Sequence, residues 1–268
     1  MNDLLLSEIC SEQSDLLSLL VLIEKYVFDK HASNQFERVI APVVDTCQDA
    51  IEGIDDTMAQ AECLINALYV DELFIDKQRS AWPVLSCVIE SAIAHRVLSP
   101  VVKAAVILHI INRCQLEAEI VYVPESVMVR IICDDVYSII FDPITGESLN
   151  WEELDRRLDG LPNEPHSKYL EPMDKSSTIV EHLTLLKNSL ISESKFDQAL
   201  KCVDLLLAIK PEDPFERRDR GFLLHQLDCF KVAYDDYQYF VQQCPKDPAA
   251  QLLKLQLDNI NLGETVLH

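Results

Sequence analysis

One phrase occurs twice near the C-terminus, 34 residues apart: residues 196–214 read FDQALKCVDLLLAIKPEDP and residues 230–248 read FKVAYDDYQYFVQQCPKDP. In this register Phe196 falls on Phe230, Ala199 on Ala233, Pro211 on Pro245, Asp213 on Asp247 and Pro214 on Pro248. A period of this length belongs to a pair of helices that cannot bury its apolar face alone and stacks on copies of itself. Small residues (Ala199, Ala233, Gly221) stand where such helices cross closely, and the prolines stop each second helix. Helix pairs are predicted at 175–191 with 195–209 and at 214–227 with 229–243, and a closing helix at 248–260. A stack of this kind holds something rather than doing chemistry. In the usual register the residues facing its groove are Thr184, Asn188, Arg218, Phe222 and His225. Two readings of them are open: they contact a protein or peptide partner, or they pack on the rest of the chain.

The remainder reads as mostly helical up to residue 113. Apolar residues at Leu16, Leu17, Leu20, Ile23 and Val27 keep helical spacing, and a second run at 34–52 does so across Pro42, a candidate kink. Asp56-Thr57 opens a third helix, and a further helix is expected at 83–95. Ser99-Pro100 is a strong helix start. The helix after it is apolar almost all round, through Val101, Val102, Ala104, Ala105, Val106, Ile107, Leu108, Ile110 and Ile111, so it is expected at the centre of the domain. The period then changes. Strands are predicted at 118–123, 127–132 and 136–141, the last two joined by Cys133-Asp134-Asp135, with a turn at 142–146 and a short helix at 151–158. Three prolines within 160–174 mark a linker. The fold class is therefore α+β: a mostly helical N-terminal domain at 1–160 with a small antiparallel sheet at about 117–142, a linker at 161–174, and an all-α repeat domain at 175–268.

Charge narrows the partners. The chain carries a net charge of −22, spread as −13 over 1–76, −4 over 77–170 and −5 over 171–268. Nucleic acid and anionic membrane surfaces are repelled by the first segment, so neither is expected as a partner. The acidity serves solubility, or else docks a basic partner. The start MNDLLLSEIC has no export signature, and the apolar run at 104–108 is too short for a membrane span. The nine cysteines include no CxxC pair, and the histidines are dispersed, so no metal is expected. A reducing cytoplasm is the expected setting, with the thiols acting as small core residues. No phosphate-cradling glycine loop is present, and no cofactor is expected.

A buried helix, then strands, then an aspartate closing a strand is the layout of transglutaminase-like and papain-like cysteine enzymes. That chemistry needs a thiol in the first turn of the helix, a histidine on the next strand and an acid on the one after. Here the first turn offers Ser99, Pro100, Val101, Val102 and Lys103; the strand entry offers Pro124, Glu125 and Ser126; only Asp142 is in place. Through PEDPFERRDRGFLLHQLDC (211–229), IVYVPESVMVRI (120–131) and FDPITGESL (141–149), the chain resembles the bacterial SirB family, a transglutaminase-like domain followed by tetratricopeptide repeats. The resemblance implies that fold. Many members have Pro-Gly-His where this chain has Pro124-Glu125-Ser126. They also have a Gly-hydrophobic-Pro phrase where it has Leu98-Ser99-Pro100, with a small polar residue near Val102. Val102, Ser126 and Asp142 then mark a degenerate site, and the chain is expected to be a non-catalytic interaction or regulatory protein. The competing reading is a divergent hydrolase or acyltransferase using Cys87, near His95 and His109, or Ser126. Arg217, Arg218 and Arg220, interleaved with Glu216 and Asp219, are expected to form an internal ion-paired face.

Overall fold

The computed structural model describes residues 2–9, 15–29, 36–72, 74–123, 126–158 and 170–265, with the backbone alone at 2–4, 151, 158 and 258–265. The helices are α1 (Asn2–Ile9), α2 (Leu16–Phe28), α3 (Phe36–Ile51), α4 (Thr57–Asn66), α5 (Ile89–His95), α6 (Pro100–Arg113), α7 (Trp151–Leu158), α8 (Lys175–Ser192), α9 (Phe196–Ile209), α10 (Pro214–Gln226), α11 (Phe230–Gln243) and α12 (Pro248–Thr265). The strands are β1 (Glu117–Val123), β2 (Ser126–Ile132) and β3 (Ser138–Phe141). The chain divides into two compact units, one of Ile9–Lys25 with Lys30–His182, the other of Met1–Glu8, Tyr26–Asp29 and Leu183–His268. The division thus falls within α8, whereas the prolines of the sequence mark 161–174.

In the first unit α6 is buried along most of its length and packs against β1 and β2. The strands form an antiparallel meander in the order β1-β2-β3, with Val123 opposite Ser126 and Val129 opposite Phe141. One face of the sheet joins Val121, Val123, Met128 and Ile140 to Leu154 of α7. The opposite face buries Ile120, Val129, Ile131 and Phe141. Residues 161–169 of the expected linker lie outside the described residues, but its end is part of the sheet. Pro172 bridges to Val121, and the Met173 N–H donates to the Ile120 carbonyl at 2.7 Å, covering the free edge of β1.

Two elements differ from the sequence reading. The helix expected at 83–95 is a 3₁₀ turn (Val84–Cys87) followed by α5. Val88 between them is extended, and the Ile89 N–H is capped by the Glu24 carboxylate at 3.0 Å. A carboxylate supplied by α2 therefore sets the start of α5, and no local residue signals it. The third strand begins at Ser138 rather than 136, because the N–H groups of Val136 and Tyr137 both donate to Asp134 Oδ1 at 2.7 Å, which makes them the hairpin tip. Pro42 sits inside α3, which runs unbroken from Phe36 to Ile51.

The second unit repeats bond by bond. Ser194 and Asp228 both turn left-handed, at φ 57° and 60°. The Lys195 N–H donates to Leu190 O and the Cys229 N–H to Leu224 O, each at 2.8 Å. At the far end of each second helix, Lys210 N–H bonds Leu206 O at 2.8 Å and Cys244 N–H bonds Phe240 O at 2.9 Å. Gly221 is required by contact: a Cβ there would stand 2.9 Å from the Tyr237 ring. The left-handed turn gives a direct check. Ser194→Gly should raise the unfolding free energy by about 0.5–1 kcal/mol in urea melts, because glycine occupies this conformation without strain, whereas an unchanged or lowered value would place the strain elsewhere.

Candidate functional site

The sequence places chemistry at the start of α6. There the Val102 side chain is fully buried, and its neighbour Lys103 is 1% exposed. Ser99 occupies the N-cap position without a side-chain cap bond, its buried Oγ lacking a partner among the described residues. The Lys103 ammonium donates to the Phe74 carbonyl and, at 3.0 Å, to the Ile144 carbonyl. It also lies 5.5 Å from the centre of the Tyr69 ring and 6.0 Å from that of Phe74. Burial pushes its pKa down to about 8, against the pull of the Asp76 and Asp142 carboxylates. At neutral pH it is still a cation.

The segments that receive Lys103 are themselves locked. After β3, Asp142 Oδ1 accepts from the Ile144 N–H at 2.7 Å and Oδ2 from Gln78 Nε2 at 3.0 Å. The Gly146 N–H returns to the Asp142 carbonyl at 2.8 Å. Asp142 caps its own turn, the ordinary work of aspartate before proline. The Tyr69 hydroxyl donates to the Pro143 carbonyl at 2.7 Å, and burial with the nearby Asp142 charge raises the Tyr69 pKa. Gly146, at φ 79°, lies under the Tyr69 ring, where a Cβ would come within 2.5 Å of a ring carbon. Asp76 ties in from the other side: its N–H bonds Ile144 O at 2.9 Å and its carboxylate holds Arg79 at 2.9 Å. Tyr69 belongs to a π-turn, Ala67–Asp71, that extends α4.

The expected positions are therefore not equivalent. Asp142 and the first turn of α6 are joined, but through Lys103 rather than Val102. Ser126 opens β2, half-buried, opposite Val123; Pro124 and Glu125 lie outside the described residues. The thiol candidate Cys87 is buried in the 3₁₀ turn. His95 bonds the Ser91 carbonyl at 2.8 Å on its own helix, and His109 faces Glu37 at 3.8 Å with its ring edge-on to Phe36. Of two surface hollows, one of about 220 Å³ lies beside the α6 start, touching Phe74 and Leu98 as well as Val39, Ile93 and Arg96, and one of about 470 Å³ touches Asp55, Asp56 and Cys133. The sequence reading passed over Lys103. Its signal was one charge in the first turn of a helix otherwise apolar.

Among the groove residues, Thr184 and Arg218 are half-buried, while Asn188, Phe222 and His225 are exposed. Arg218 is spoken for: it donates to Asp219 at 2.7 Å and stacks over the Phe215 and Phe240 rings. Phe222 meets Phe196 edge-on, and His225 meets Phe230 likewise. The ion-paired face extends further than its sequence suggests. Buried Lys187 donates to Glu216 and to Asp219 at 2.7 Å, and Arg220 forms a two-bond pair with buried Asp236 at 2.7 Å.

Residues 32–184 match the transglutaminase-like superfamily, and residues 186–258 match a tetratricopeptide repeat family. YchA of Escherichia coli K12, a UPF0162 protein, is 37% identical over 183 residues, covering 67% of this chain and 68% of its own. SirB1 of Salmonella typhimurium is 31% identical over 230 residues, covering 84% and 85%. This chain belongs to the SirB (UPF0162) family. A further SirB-family relative, from Vibrio cholerae, is 30% identical over 210 residues and 77% of both chains. No solved structure matches the chain. In this SirB-family protein no single described helix is long and apolar enough to cross a membrane, and no group of three described His, Cys, Asp or Glu residues could hold a metal ion.

Lys103 gives the site a testable signature. Its folded pKa of about 8 lies below the unfolded value of 10.5, so the unfolded chain binds more protons between those pH values. Its contribution to stability therefore grows as pH rises through that window. Lys103→Met should cost about 1–3 kcal/mol by leaving the Phe74 carbonyl unpaired. The gap between wild type and variant should widen from pH 8 to pH 10.5 in urea melts, groups common to both proteins cancelling. A gap that narrows would mean that the fold favours the charged amine.

Proposed function

We propose that this SirB-family protein is a non-catalytic interaction or regulatory protein: a transglutaminase-like domain without working chemistry, joined to repeats that contact a protein partner. The observation that carries the reading is the use made of the α6 start. Val102, near which the family resemblance would put the nucleophile, is buried, the next residue spends its charge on two backbone carbonyls, and both Asp142 oxygens accept hydrogen bonds from the protein itself. A nucleophile needs an adjacent base and access to substrate. Stacked helix pairs, for their part, bind through exposed side chains of the groove.

Arg218 is a poor probe of that groove, because its pairing with Asp219 and its stacking on two rings make it part of the fold. Asn188→Arg and Phe222→Ala change exposed positions instead. Affinity capture from bacterial extract should return a stoichiometric protein partner with the wild type, and the double variant, shown folded by circular dichroism, should lose it by about tenfold or more. Full retention by the variant would remove the groove from the reading. Fluorophosphonate and electrophilic thiol probes should label the folded chain no faster than the unfolded one. Rapid, site-selective labelling of Ser126 or Cys87 would replace the reading with the hydrolase alternative.

A further inference from the structure

The hollow beside the α6 start lies within the first unit. Val43, Phe74, Ile93 and Leu98 line it, and Val39, which lines it too, is 48% exposed, so it opens to solvent. At about 220 Å³ it exceeds the roughly 150 Å³ of an apolar cavity that admits benzene, and a guest of about six to eight carbons matches it. Phe74 also gives its carbonyl to the buried Lys103 ammonium, so this wall is fixed before any guest arrives.

Arg96 is the one charged side chain among the described residues that line the hollow. It follows α5 and turns left-handed, at φ 53° and ψ 33°, where glycine is the usual residue. The guanidinium does not hold this bend: Ile93 O is taken by the Arg96 N–H and Ala92 O by the Val97 N–H, each at 3.1 Å. Nη1 donates to the Glu72 carbonyl, while Nη2 stands 3.8 Å from the Glu72 carboxylate, too far for a hydrogen bond. Glu72 does not line the hollow, and Thr46 Oγ1 donates to its Oε1 at 2.9 Å. Among the described residues, then, most N–H donors of the fork remain unspent. A strained arginine with donors to spare, beside an apolar hollow, has the form of a head-group anchor.

We propose that the hollow binds a small aliphatic carboxylate, a fatty acid of about six to eight carbons, with its chain on Val43, Phe74, Ile93 and Leu98 and its head on Arg96. Charge and polarity select this guest. No carboxylate is among the described lining residues, so an anion is favoured over an amine. A guanidinium grips a carboxylate through two parallel hydrogen bonds. A peptide is the poorer occupant, because its buried amides need partners and the described lining offers one polar side chain. The site stands whether or not the repeat groove holds a partner.

Calorimetric titration of the full chain with straight-chain fatty acids tests this. Octanoate should bind at a single site with a Kd on the order of 0.1–1 mM. Affinity should rise about three- to fourfold per methylene from hexanoate to octanoate and level off by dodecanoate, when the hollow is full. Octylamine should bind at least about tenfold more weakly than octanoate. Arg96→Gly removes the guanidinium and relieves the left-handed strain, so it should fold as the wild type does yet hold octanoate about tenfold or more weakly, with octan-1-ol unchanged. Should that variant not fold, Arg96→Asn, which tolerates the same bend, serves in its place. No saturable binding up to about 10 mM, affinity that climbs with every methylene, or a folded variant that binds octanoate as the wild type does overturns the proposal. So does a short peptide with a free C-terminal leucine that outbinds octanoate, which would give the hollow to a protein C-terminus.

Discussion

The Lys103 ammonium sits where three parts of the first unit meet. It reaches from the first turn of α6 to a carbonyl in the segment after the π-turn and to another in the turn after β3. Hiding a charge from water costs several kcal/mol unless its donors are satisfied, and here backbone carbonyls and the negative faces of two rings do so. The surrounding bonds have the same effect. Tyr69 to Pro143, Gln78 to Asp142 and Asp76 to Ile144 hold the same two segments together. Bonds of this density tie both segments to the first turn of α6.

The second unit is held by a different logic. Its helix ends are fixed by hydrogen bonds that recur every 34 residues, and its helices are cross-linked by buried ion pairs centred on Lys187 and Asp236. Breaking one partner of such a pair is costly because the other charge stays buried, so these pairs set the register in which α8, α10 and α11 stack. Phe222, Phe230, Leu252 and Leu255 stay exposed on its surface.

The repeats were legible because their signals are local: a proline after a cap, a glycine under a tyrosine, a small residue at a crossing. The cap-proline pair and the small residue recur at a fixed spacing, the glycine occurs once, and the structure returns each as a hydrogen bond or contact. The central helix was legible as apolar, and so was the turn at 142–146 that Asp142-Pro143 opens. Lys103 was not, because its partners are main-chain carbonyls, which no residue pattern encodes, and because a lysine near a helix end usually reaches water along its own stem. The start of α5 was hidden for a related reason: Glu24, 65 positions away, supplies the cap. The match of Pro172 and Met173 to the edge of β1 likewise depends on long-range pairing, so a proline-rich stretch reads as linker where the fold uses its end as a strand cover. Local chemistry predicts element ends well where the cap is nearby and poorly where a distant segment provides it.

The filled centre is tested most directly by the titration of the Lys103 amine itself. Nitrogen-15 NMR of the lysine side chains, with Lys103→Met to assign the resonance, should give a midpoint at about 8 and an amine shielded from rapid exchange with water. A midpoint at its ordinary value of 10.5, with fast exchange, would mean that the α6 start opens onto solvent, and the account of a knotted, non-catalytic centre would be wrong.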